Sequence, residues 1–158
     1  MNIEGMTDGE LETLYQNCVE AIDKGKSTAA QAQRYIDEIN AVWRVRLSAA
    51  QAGQYKADRP EEGPLKKLGY KVGNGGVSAE KRRRLLDWAM ERDLPFVGSP
   101  AYMLEWGEPR SAKRYRKLHT SLTVFRSGAR TLGTMQKADD DWSQDLAYIE
   151  AAWKAEVR

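Results

Sequence analysis

Cysteine and histidine each occur once in the 158 residues, as Cys18 and His119. A structural zinc site needs three or four Cys, His or carboxylate ligands and is therefore excluded, and a single thiol cannot close an internal disulfide. Cys18 falls on an apolar helical stripe and reads as a structural thiol in a reducing compartment. His119, next to Leu118 on a basic segment, reads as a border residue, and the distance along the chain between the two gives no reason to pair them as nucleophile and base. No window approaches the roughly 18 consecutive apolar residues of a spanning helix. Met1 to Thr7 lacks the basic and apolar regions of a secretory leader. A cytoplasmic protein with no membrane partner is the expectation, and no repeat of about 20–50 residues is visible.

What the sequence has instead is charge, unevenly placed. Residues 1–64 carry 7 Lys+Arg against 11 Asp+Glu, residues 65–130 carry 15 against 6, and residues 131–158 carry 3 against 6. The segment charges are −4, +9 and −3, which return the overall +2. A middle third so basic attracts polyanions or an acidic protein face more strongly than the total implies.

Helical signals dominate. Thr7 and Glu10 form a capping box, and Leu11, Leu14, Tyr15, Cys18, Val19 and Ile22 recur with the period of an amphipathic helix that ends at Gly25. Ser27 is the next expected N-cap. From there Ala29, Ala32, Tyr35, Ile36, Ile39, Val42 or Trp43, and Leu47 carry a second helix to about Ala50, so residues 1–50 should form an antiparallel hairpin. Residues 51–64 are polar and rich in Gly, Pro and charge, a linker or exposed loop. Residues 65–130 form the basic central region. There the alternation Leu68, Tyr70, Val72 fits one short strand, Gly73 to Gly76 make a turn, and Ser78, Ser99-Pro100 and Ser111 each open a helix. Over residues 131–158, a loop near Thr131 to Ala138 with Gly133 precedes a helix starting near Trp142. Asp139 to Asp141 sit at its positive end. Its seam of Trp142, Leu146, Ile149, Trp153 and Val157 should dock on the hairpin; self-association through this helix is the less favoured alternative. The expected fold is thus mainly α.

No catalytic constellation is visible, and neither an enzyme activity nor a cofactor is expected. Asp87, Glu91, Glu105 and Glu108 are near one another only along the chain. The glycines before Ser78 match neither GxGxxG nor GxxxxGK[ST], so they read as a tight turn, with the Gly75 and Gly76 amides as candidates for a backbone contact to phosphate. The basic clusters remain: Lys81, Arg82, Arg83 and Arg84, then Arg110, Lys113, Arg114, Arg116 and Lys117. Lys and Arg at helical spacing with Trp88, Trp106, Tyr115 and His119 among them suit a surface for DNA or RNA. Residues on one helix are 100° apart, so at least one arginine of the first cluster must lie at the core boundary. The segment Asp93 to Ser99 is longer than the turn of a helix-turn-helix.

Leu68-Gly69-Tyr70 with Val72-Gly73, Ser78 with Arg82-Arg83 and Leu85-Leu86, and Tyr102 with Glu105-Trp106-Gly107, Ser111 and Arg114 together resemble a segment of small uncharacterised bacterial and prophage proteins. That resemblance covers less than half the chain and implies a phage or mobile-element setting without an activity. The resulting expectation is a non-catalytic protein that contacts nucleic-acid phosphates through its central basic face. The alternative is an interaction module, an inhibitor or adaptor, that docks the same face on an acidic or nucleic-acid-binding protein surface.

Overall fold

The computed structural model describes residues 1–51, 60, 62–132 and 135–157. Its helices are α1 (Asp8–Asp23), α2 (Ala29–Gln51), α3 (Pro64–Lys67), α4 (Ala79–Glu91), α5 (Pro100–Glu105), α6 (Ala112–Leu132) and α7 (Gln136–Trp153), preceded by a 3-10 turn at Ile3–Gly5. No helix among the described residues is long and apolar enough to cross a membrane. The chain divides into two compact units, one made of Met1–Gly69 with Leu94–Met103, the other of Tyr70–Asp93 with Leu104–Arg158.

In the first unit α1 and α2 pack as the expected hairpin. Both halves of the capping box form, Glu10 N–H to Thr7 Oγ1 at 3.2 Å and Thr7 N–H to Glu10 Oε2 at 2.8 Å. Gly25 adopts φ +63°, and the bonds Gly25 N–H to Ile22 C=O and Lys26 N–H to Ala21 C=O close α1 as a Schellman motif. Leu11, Tyr15, Cys18 and Val19 meet Ala32, Ile36, Ile39 and Trp43 in the core, with the Tyr15 and Trp43 rings 5.6 Å apart. The segment from Leu94 to Ser99 is buried in the same unit, and its Phe96 N–H donates to the buried Asn40 Oδ1 at 2.9 Å.

In the second unit α6 and α7 run antiparallel, since the pairs His119–Glu150 and Arg126–Asp139 run in opposite order along the two helices. α4 packs on both. Leu85, Leu86, Ala89, Met90, Leu118, Leu122, Leu146 and Ile149 form its core.

Several expectations are corrected. No strand forms among the described residues: Leu68 is a helical cap (φ −69°, ψ −15°) closing α3, and Gly69 at φ +95° interrupts the alternation before a strand can start. α2 begins at Ala29, and its first turn closes on the Thr28 carbonyl rather than at Ser27. α7 starts at Gln136, so Asp139 lies in its first turn and Asp141 inside it. Within its unit the seam of α7 closes on α6 and α4. Of residues 65–130, Leu65–Gly69 and Leu94–Met103 group with the hairpin's unit and the rest with the second unit. The expected linker lies mostly outside the described residues, as does Gly133.

Candidate nucleic-acid interface

Ser78 caps α4 through Lys81 N–H to Ser78 Oγ at 3.2 Å, which sets the helical phase of the first basic cluster. Arg82 then points inward and is only 2% exposed. Its Nε donates to Asp145 Oδ2 at 2.8 Å and its Nη1 to the Val77 carbonyl at 3.0 Å. Nη2 lies 3.5 Å from Asp141 Oδ1. Tyr70 OH donates to the same Asp145 oxygen at 2.6 Å, and Gly73 N–H donates to Asp141 Oδ2 at 2.9 Å. This network ties the 70–77 loop to α4 and α7. Burial first, and then the Asp145 carboxylate, hold the Tyr70 hydroxyl well above its ordinary pKa.

Ser111 caps α6 in the same way, with Arg114 N–H to Ser111 Oγ at 3.0 Å. Arg114 is 3% exposed and has no carboxylate within ion-pair distance among the described residues. Its guanidinium donates to four backbone carbonyls: Ala89, Arg92 (2.8 Å), Trp106 (3.0 Å) and Gly107 (3.0 Å). These lie at the C-terminal ends of α4 and α5, where helices leave acceptors unpaired and the macrodipole is negative. One side chain therefore caps two helices, and burial depresses its pKa without removing its charge at neutral pH.

These two arginines accordingly leave the set of surface cations. Three more basic positions are paired at the surface: Arg84 with Glu80 (3.2 Å), Arg110 with Glu91 (3.6 Å) and Lys117 with Glu105 (3.0 Å). The Gly76 amide donates to Gly73 C=O at 3.0 Å and is not offered to a phosphate. The neighbouring Asp141 carboxylate, bound to Gly73 N–H, would also repel one. Gly75, at φ +75°, is exposed at the tip of this turn.

Lys81, Arg83, Lys113 and Arg116 carry no ion pair among the described residues. The two clusters are linked through Asp87, to which the sequence pattern assigns no role. Its carboxylate accepts from Tyr148 OH (2.8 and 2.9 Å) and from Trp153 Nε1 (2.9 Å). Arg83 lies 5.5 Å over the Tyr148 ring, and Arg110 lies 5.1 Å over Trp153. The i, i+4, i+8 spacing of Arg83, Asp87 and Glu91 on α4 is the one sequence signal of this arrangement. Arg110 holds φ +61° while its N–H donates to Met90 C=O at 2.7 Å.

On α6, 3.6 residues per turn place Lys113, Arg116, Thr120, Thr123 and Ser127 within about 80° of one another, and all are exposed. The Thr123 hydroxyl gives its proton to the His119 carbonyl at 2.9 Å. His119 itself is turned to Glu150 at 2.8 Å. The outer α6 face is thus cationic at its N-terminal end, lined with hydroxyls beyond it, and, among the residues whose exposure is described, apolar only at Val124.

Burial, reinforced by the Asp87 bonds, pushes the Tyr148 hydroxyl up to about 12 from 10.0. The unfolded chain releases that proton near 10, so the contribution to stability is intact below that pH and is lost as pH rises through 12. In an alkaline titration followed by phenolate absorbance, Tyr70 and Tyr148 should ionise above the ordinary tyrosine range and together with loss of helical circular dichroism. Ionisation of these two hydroxyls near pH 10 in a still-folded protein would contradict both bonds.

No family model, curated protein or solved structure matches this chain.

Proposed function

We propose that the protein is a non-catalytic, cytoplasmic nucleic-acid-binding protein that contacts phosphates through the outer face of α6, with Lys81 and Arg83 of α4 contributing. The observation that carries this is the orientation of Lys113 and Arg116: they share one exposed helix face and have no carboxylate partner among the described residues. Such cations release counterions when they meet phosphates, so affinity falls steeply with salt. A hydrophilic face of lysine, arginine and hydroxyls suits phosphate contacts better than a protein interface, whose centre is apolar and aromatic. The phage or mobile-element setting implied by the resemblance of residues 65–130 belongs to the same proposal.

A second reading, docking on an acidic protein surface, is favoured by the carboxylates that already pair with Arg84, Arg110 and Lys117. Fluorescence anisotropy of labelled DNA and RNA at about 50 and 200 mM salt separates the two. Binding at the lower salt that weakens at the higher, and that drops in a folded K113A/R116A variant, is expected. Absence of binding at the lower salt would overturn the nucleic-acid reading in favour of the protein one.

A further inference from the structure

We infer that the ligand of this face is double-stranded nucleic acid, held by its phosphate backbone without sequence preference, an inference that rests on the nucleic-acid reading above. Proteins that hold single strands combine cations with open aromatic faces on which bases stack. Here the rings near the cations are buried or already engaged by a neighbouring side chain. Trp88, Trp106 and Trp153 are buried. Arg92 lies 4.5 Å over Trp88, Arg110 covers Trp153 and Arg83 covers Tyr148. Tyr148 and Trp153 are further fixed by hydrogen bonds to Asp87. Tyr115 packs against His119, 5.8 Å between centroids. Phe125 is 41% exposed, but it lies about 180° round α6 from Arg116 and packs on Trp142 at 5.9 Å.

Stacking would require these guanidiniums to leave rings they already cover, and would set Arg83 and Arg110 against the base. A duplex makes no such demand, because its bases are already stacked and its charge is on the outside. The outer face also lacks the asparagine or glutamine that reads adenine edges, and the two cations able to reach a guanine edge, Lys113 and Arg116, stand together at one end, too few to read a site and worth about two phosphate contacts. Backbone geometry is then what the face can recognise.

The test compares the intact protein's affinity for a DNA duplex of about 20 base pairs, the corresponding RNA duplex, each constituent single strand, and a duplex of scrambled sequence, over about 50–200 mM salt. A duplex should bind at least about ten-fold more tightly than its strands, and the scrambled duplex should match the original within about three-fold. The slope of log K against log salt should fall by about 2 in K113A/R116A, near 0.9 per lost phosphate contact. Tight binding of only the DNA or only the RNA duplex supports the inference and identifies the source. Single strands binding as tightly as duplexes would overturn it while leaving nucleic-acid binding intact. A ten-fold preference for one duplex sequence would overturn the sequence independence, and an unchanged slope in the folded variant would overturn the assignment to α6. Failure of every probe to bind at the lowest salt would overturn the nucleic-acid reading itself.

Discussion

Replacing Arg114 by alanine is expected to lower the unfolding free energy by about 3–5 kcal/mol, a large fraction of the 5–15 kcal/mol that ordinarily holds a domain together. The substitution removes a cation whose hydrogen bonds all go to carbonyls of Ala89, Arg92, Trp106 and Gly107. Those acceptors lie at the ends of α4 and α5, and left buried without donors each costs its own desolvation. Arg114→Lys is expected to recover only part of the loss. An ammonium on a flexible stem has three donors and cannot reproduce the planar fork that spans both helix ends. Urea unfolding of the two variants beside the wild type decides this. A loss below about 1 kcal/mol in R114A would show that water replaces the guanidinium at little cost, and would return Arg114 to the candidates for ligand contact.

The Arg82–Asp145 pair should be as costly to break, for a different reason. Both side chains are almost fully buried, 2% and 1% exposed. Arg82→Ala leaves Asp145 with the Tyr70 hydroxyl as its remaining side-chain donor, and an uncompensated buried charge typically costs about 3–5 kcal/mol. Paired removal, R82A/D145A, should be less destabilising than the sum of the single substitutions, because each single variant strands a charge and the double one does not. Additive losses would mean that the two groups do not share their environment in solution. Neither substitution bears on phosphate binding directly, so a fall in nucleic-acid affinity must be judged against the fraction of each variant that is folded.

Capping residues are legible in the amino-acid sequence alone: Thr7, Ser78, Ser99 and Ser111 accept the N–H bonds expected of them. Short-range signals of this kind depend only on neighbouring residues. The strand expected at Leu68–Val72 does not form, because alternation says nothing of whether a second strand exists to pair with. The distribution of charge marks the basic third of the chain but not its orientation. Arg82, Arg83 and Arg84 are consecutive, and only the packing of α4 against α7 decides which of them turns inward. Arg114 is harder still, since its acceptors are main-chain carbonyls that leave no trace in residue identity. The Asp87 latch is in principle visible, as an acid four residues after Arg83 and four before Glu91, yet its partners Tyr148 and Trp153 lie some sixty residues away.

The assignment of Leu94–Met103 to the hairpin's unit has a consequence for how the chain is made and cut. The first unit lacks the Phe96 amide for Asn40 until synthesis has passed residue 96, and is complete only at residue 103, by which time Tyr70–Asp93 of the second unit has already been made. The second unit in turn waits for α7. Neither unit corresponds to one uninterrupted stretch of the gene product, so a fragment ending at residue 69, or one beginning at residue 65, severs a unit rather than isolating it.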